Sequence, residues 1–326
     1  METIKLFHTF GFKPSEEKIH RNNFLPATLH CLTNIKFLTE FISKENYCEN
    51  KLLNSYKNLL QTISKTNEQE KKYISIEDFE KALFEIDDYQ NDKEKCNPKF
   101  LFDNIINNFH NFYSQNKKTT ISDNISVEFQ TTFSCQECSE KIEEKEGTRF
   151  LIYNICKEYN NEDENKDYNI HDCIRSYLNI EKIIIKKCEK CKKETKQDVK
   201  KIYKTLPKVL IIQVDYGNDK NYKLEKKIIF NEELDFSKIS NIEVEEKYKD
   251  KKYYLSSLIC VREIMVKKKE YFYTFCRKND SSKYYCYNEE MVHEVIDIKK
   301  KLEKNKINLD DKKQRFPYIL IYTFSE

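Results

Sequence analysis

The chain is 326 residues long, 39% hydrophobic and 13% aromatic, with 22 Tyr and 21 Phe. That is enough apolar surface to bury a core in one large α+β unit or two smaller ones, and it excludes an extended disordered polypeptide. Its 58 basic and 55 acidic residues leave a net charge of +3, and because lysines alternate with glutamates the surface reads as solvated, with no nucleic-acid footprint.

Only three glycines occur, Gly11, Gly147 and Gly217, so no glycine-rich loop is available to cradle a phosphate. The opening METIKLFHTFGF holds no apolar stretch of signal-peptide length, and the longest apolar runs, near VLII and YILIY, fall far short of a membrane span. These features predict a soluble protein of the cytoplasm or nucleus, with no membrane partner. Twelve cysteines are then expected as reduced thiols, and their spacing is read for metal binding or catalysis before disulfides.

From Asn23 to Ile42, Leu25, Leu29, Leu32, Phe37 or Leu38, and Phe41 recur at helical spacing, which predicts one helix with Asn22 or Asn23 as its N-cap and Pro26 tolerated in its first turn. The segments KLLNSYKNLLQTI, IEDFEKALFEI and PKFLFDNIINNFHNFY continue the helical pattern, interrupted by the loop DDYQNDKEKCNP. After Ser122 the pattern changes to strands: ISVEFQTTFSC, TRFLIYNI and IYKTLPKVLIIQV, with HDCIRSYLNI as a short helix between them. The last third adds YYLSSLICV, EYFYTFCR, KYYCYN and PYILIYTF as strands. The lysine-rich IKKKLEKNKINLDDKKQR between the last two reads as an exposed helix or loop.

The most specific chemical signal is CQEC, with Cys135 and Cys138, followed by CEKC, with Cys188 and Cys191. Each Cys-x-x-Cys forms a knuckle that presents two thiolates to one ion, and two knuckles on neighbouring hairpins complete a tetrahedral four-sulfur site for structural Zn²⁺. A redox pair is the alternative for either motif taken alone. The other eight cysteines lack partners at ligand spacing and read as core residues.

In this order, Cys-x-x-Cys, the helix HDCIRSYL, a second Cys-x-x-Cys and the strand TLPKVLIIQV resemble the fingers and following palm strand of the ubiquitin-specific protease family. YYLSSLICV, YTFCRKNDSSKYYCYNEEMV and PYILIY resemble that family's palm strands around its histidine box, and FLPATLHCLTNIKFLTEF resembles the helix that carries its nucleophile. The resemblance spans about residues 15 to 326. It implies an α+β, papain-like cysteine-protease fold in a single domain, with a helical thumb over 1–124, zinc-ribbon fingers over 125–205 and a palm sheet over 206–326.

The catalytic positions depart from the family. Alignment on LHCL sets Asn23 at the nucleophilic cysteine, His20 at the preceding glycine and Lys18 at the asparagine that donates to the oxyanion. Asparagine caps a helix well, but its amide is not a nucleophile. Alignment on YTFCR sets Glu270, Tyr271 and Phe272 at Gly-His-Tyr, which removes the general base, while Asn288 matches the residue that orients it. Cys31 with His30, or His293, are the remaining candidates for a displaced dyad.

The resemblance therefore implies a catalytically inactive family member that binds ubiquitin or another protein partner. Two alternatives remain: a scaffold subunit of a larger complex, as the family's inactive spliceosomal relative suggests, and an active thiol-dependent deubiquitinase using a displaced dyad.

Overall fold

In the computed structural model, described over residues 11–14, 24–43, 50–66, 73–86, 97–115, 122–154, 168–215, 228–240, 242–264, 269–278, 283–288, 291–303 and 313–324, the segment Phe24–Thr33 is a helix (α1) buried at every one of its ten residues. Its polar members are accommodated inside, the Thr28 and Thr33 hydroxyls donating to the helix's own Phe24 and His30 carbonyls at 2.8 and 3.1 Å. Pro26 sits in its first turn, where its missing N–H would have had no intrahelical partner. The chain divides into two compact units, Met1–Ile121 with Ser256–Ile321, and Ser122–Leu255 with Tyr322–Glu326.

The first unit surrounds α1. Helices α2 (Lys36–Ser43), α3 (Lys51–Lys65), α4 (Glu77–Ile86) and α5 (Pro98–Gln115) follow in chain order. Asn50 caps α3 by accepting from the Leu53 N–H at 3.0 Å, and Asn97 caps α5 by accepting from Phe100 at 2.9 Å with Pro98 as its first residue. In α3, Leu52, Leu53, Tyr56, Leu59, Leu60 and Ile63 are buried on one face, and Tyr56 packs edge-on against Phe79 and tilted against Phe109, both with ring centroids 5.9 Å away.

The periodicity of Asn23–Ile42 predicted one helix, and the structure has two. The break falls at Asn34, whose amide donates to the Ser256 carbonyl at 3.0 Å and to the Ser256 and Ser257 hydroxyls at 3.2 and 3.3 Å. Within the second helix the Thr39 hydroxyl donates to the Thr33 and Ile35 carbonyls across the break. Two short strands inside the helical region, β1 (Gly11–Lys13) and β2 (Tyr73–Ser75), pair in parallel; at three residues each they carry no readable alternation.

The second unit begins with α6 (Ser122–Ile125) and contains a four-stranded sheet built from β3 (Val127–Cys135), β4 (Lys141–Thr148), β7 (Ile183–Lys187) and β8 (Glu194–Thr205) in the order β4-β3-β8-β7. Between β4 and β7 lie β5 (Phe150–Asn154), β6 (Tyr168–Asn169) and α7 (Ile170–Ser176), the helix expected from HDCIRSYLNI. IYKTLPKVLIIQV, read as a single strand segment, is divided: β8 ends at Thr205 and β9 (Val209–Asp215) begins after Pro207, which has no N–H for a ladder. β9 runs parallel to β5, and β10 (Ile228–Ile229) parallel to β6. β11 (Glu233–Asp235) pairs antiparallel with the start of β12 (Lys252–Ile264).

From Ser256 onward β12 belongs to the first unit, where it continues an antiparallel ladder through β13 (Lys269–Arg277), β14 (Tyr284–Asn288) and β15 (Met291–Val295). Helix α8 (Ile298–Glu303) takes up the start of the lysine-rich stretch, and β16 (Lys313–Phe324) closes the chain next to β12 in the sheet. No helix among the described residues is long and apolar enough to cross a membrane.

Candidate functional site

The four-stranded sheet β4-β3-β8-β7 brings its two Cys-x-x-Cys motifs together. Cys135 ends β3, Cys188 follows β7, and the sulfurs of Cys135, Cys138, Cys188 and Cys191 all lie within 4.8 Å of one another. The two knuckles repeat one hydrogen-bond pattern. Cys135 accepts from the Ser139 N–H and donates to the Glu140 carbonyl, and Cys188 does the same with Lys192 and Lys193, all four bonds at 2.9 Å. Ser139 and Lys192 both take the left-handed conformation, with φ of 57° and 60°. This region normally belongs to glycine and costs an ordinary residue about 1–2 kcal/mol, and the two knuckles adopt it at equivalent positions, Ser139 after Cys138 and Lys192 after Cys191.

The Thr195 hydroxyl, 3.3 Å from the Cys135 sulfur, is the main reason that thiol is lowered to about 6. At Cys138 the Glu140 amide favours the thiolate, but burial and the neighbouring sulfurs outweigh it and push that thiol up to about 11. Four sulfurs at this spacing cannot all ionise without a cation among them. A soft, tetrahedral, four-sulfur donor set suits Zn²⁺ or iron. Lys190–Glu140 at 3.2 Å and Lys193–Glu137 at 3.8 Å link the knuckles on the surface, where exposed pairs contribute little.

On the face of this sheet that Cys135 shares with Phe129 and Phe133 by strand alternation, lysines lie over aromatic rings. Lys186 sits 4.3 Å from the Phe133 ring centroid and pairs with Glu144 at 2.8 Å. Lys201 sits 4.7 Å from Phe129 and pairs with Glu146. These lysines and glutamates cover the apolar stripe with aliphatic stems and cation–π contacts, which explains how a strand as polar as KIEEKEGT holds its place in a sheet. Its charged alternation concealed it in the sequence.

The helix-start positions Lys18, His20, Asn22 and Asn23 lie outside the described residues. Downstream, Cys31 is fully buried, and burial, followed by the Cys276 sulfur, raises its thiol well above the ordinary value. His30 is buried between two rings, 4.1 Å from Phe12 and 4.0 Å from Tyr287. His293 is exposed on β15 opposite Cys286. Of the cysteines read as core residues, Cys31, Cys173, Cys260, Cys276 and Cys286 are buried; Cys48, Cys96 and Cys156 fall outside the described residues.

On β13, Thr274 donates to the Ala27 carbonyl at 2.8 Å and Cys276 to the His30 carbonyl at 3.5 Å, so the even-numbered residues face α1. Tyr271 is on the opposite face. Asn288 follows Tyr287, the cross-strand partner of Thr274, and strand alternation therefore puts Asn288 on the same face as Tyr271.

A family model described as ubiquitin carboxyl-terminal hydrolase matches residues 18–322, and the chain belongs to that family. Among solved structures, a SAGA DUB module of Ubp8, Sgf11, Sus1 and Sgf73 bound to monoubiquitin is similar, with a TM-score of 0.70 and 15% identity over 100% of this chain and 71% of that one. At that identity the likeness is one of fold, and the fold is the α+β architecture expected from the ordered motifs. No curated protein matches the chain.

Proposed function

We propose that the chain is a catalytically inactive member of its family that acts by binding ubiquitin or another protein partner in the cytoplasm or nucleus, its fingers held by structural Zn²⁺ on Cys135, Cys138, Cys188 and Cys191. The observation that carries this reading is the β13 strand beside α1. Its residues at the histidine box are Glu270, Tyr271 and Phe272, and a register shift by one in either direction, to Phe272 or to Glu270, supplies no imidazole. Neither ring accepts a proton at neutral pH.

A displaced dyad is disfavoured on the same ground. The Cys31 thiol is held neutral by burial, and a nucleophilic cysteine needs an accessible thiolate. With Asn23 at the nucleophile position and Tyr271 at the histidine's, Asn288 has no histidine to orient. Four intact metal ligands beside lost catalytic groups fit a protein whose remaining work is contact. The solved module bound to monoubiquitin favours ubiquitin as the first partner to test.

Two measurements test this reading. Incubation with a fluorogenic ubiquitin conjugate is expected to give no turnover above a Cys31→Ser control; turnover that this substitution abolishes would establish the displaced dyad instead. Calorimetric titration with ubiquitin is expected to show saturable binding. Absence of both turnover and ubiquitin binding would favour the scaffold reading.

A further inference from the structure

The two cysteine knuckles match in backbone geometry but not in the side chains set against their sulfurs. Thr195 stands at the same interval after Cys188 as Ile142 does after Cys135. The Thr195 hydroxyl lies 3.3 Å from the Cys135 sulfur, a buried contact between residues 60 apart in sequence. Among the described residues no hydroxyl is hydrogen-bonded to the sulfur of Cys138, Cys188 or Cys191.

Strand pairing puts the hydroxyl there. Cys135 is the register partner of Gln197, so Thr195, two positions back along β8, faces the same side of the sheet. On that side β8 buries Thr195 and Gln197, between the exposed Glu194, Lys196 and Asp198. The Gln197 amide is committed to the Lys186 carbonyl at 3.2 Å, which leaves the Thr195 hydroxyl as the donor beside Cys135. It has no other hydrogen-bond partner among the described residues. A buried hydroxyl is costly unless its bond is made, and a bond to an ionised acceptor is roughly twice as strong as one to a neutral group.

We propose that Thr195 is a positioning residue for the metal, its hydroxyl donating to the Cys135 thiolate and making that sulfur less nucleophilic than its buried counterpart Cys188. The inference rests on the reading of Cys135, Cys138, Cys188 and Cys191 as a metal site. A thiol and a hydroxyl can each donate to the other, but a sulfur held as a thiolate by a cation has no proton, so the hydroxyl is the donor. The bond orients the sulfur and withdraws electron density from it, as outer-shell donors do at metal centres. Ile142, at the equivalent position of the other knuckle, has no proton to give. A site symmetric in its backbone is thereby asymmetric in its chemistry.

Two measurements on the full chain test this. The first loads wild type, Thr195→Val and Thr195→Ser with Co²⁺ in place of Zn²⁺. Thr195→Val should weaken Co²⁺ binding about tenfold or more in competition with a chromophoric chelator. Its sulfur-to-cobalt charge-transfer band should also move to longer wavelength, because a thiolate without the hydrogen bond gives up an electron more easily. Thr195→Ser keeps the hydroxyl and should match wild type in both. An unmoved band in Thr195→Val overturns the proposal, since lost packing alone lowers affinity without that shift, and so does a Thr195→Ser band that moves with it. The second measurement needs no variant: zinc-loaded wild type is treated with N-ethylmaleimide and its cysteines are mapped by mass spectrometry over time. Cys135 should be modified after Cys188, although Cys188 is the more buried, 1% exposed against 3%, so burial alone gives no such order. Equal or earlier modification of Cys135 overturns the proposal even where Thr195→Val fails to fold. A wild type that takes up neither metal overturns the metal-site reading itself, and this inference with it.

Discussion

The Thr274 hydroxyl donates to the Ala27 carbonyl at 2.8 Å across 247 residues of sequence, tying helix α1 to strand β13. The bond is buried, and the Cys276 sulfur repeats it one helical turn on, at the His30 carbonyl. Replacing Thr274 with Val keeps the shape and removes the donor. The variant should lose about 1–2 kcal/mol of stability, read as a lower urea midpoint at unchanged slope. An unchanged midpoint would show that this contact is energetically neutral.

Two buried tyrosines should respond in opposite directions to loss of the hydroxyl. Tyr203 donates to the Ile174 carbonyl at 2.6 Å, so Tyr203→Phe leaves a buried acceptor short of its partner and should cost about 1 kcal/mol. The Tyr56 hydroxyl is buried with no partner among the described residues, and its ring is held by Phe79 and Phe109. Tyr56→Phe should therefore be neutral or stabilising by up to about 1 kcal/mol. Thermal or urea unfolding of the two variants side by side measures the contrast.

Cys31 should resist alkylation in the folded protein and react once the chain is unfolded in urea, because burial holds its thiol well above the ordinary value of 9.0. Mass mapping after iodoacetamide treatment reads this directly. Stability should carry the same signature. Below pH 9 the thiol is protonated in both states, while above it the unfolded chain loses a proton that the folded protein retains. Stability therefore falls as pH rises past that point, and Cys31→Ala should flatten the decline.

One Zn²⁺ per chain is expected on purification, held by Cys135, Cys138, Cys188 and Cys191. Elemental analysis checks the stoichiometry. Cys188→Ser should lower the metal content and expose β7 and β8 to proteolysis, since a structural site contributes folding energy to the strands it joins. Unchanged zinc in that variant would refute the ligand set.

Local order was legible where one signal dominated. The cysteine spacing led to the four-sulfur cluster, the apolar stripe of KLLNSYKNLLQTI to α3, and the ordered motifs to the family and its α+β fold. These features depend on residues close in sequence or on chemistry with few alternatives, so composition and spacing are enough to read them.

What the sequence by itself determined was therefore the family, its α+β fold and the gathering of the four cysteines Cys135, Cys138, Cys188 and Cys191. The tertiary structure decided the features made by distant partners. Asn34 ends a helix because serines more than two hundred positions away accept its amide. KIEEKEGT becomes a strand because Lys186 and Lys201 reach its glutamates across aromatic rings, and His30 becomes a core residue because Phe12 and Tyr287 close over both its faces. The exposure of Ile185, next to the half-buried Ile184, was likewise invisible in a run of three isoleucines. A pattern along the chain reports the period of an element, whereas burial depends on which other elements pack against it, and that is set only when the chain has folded.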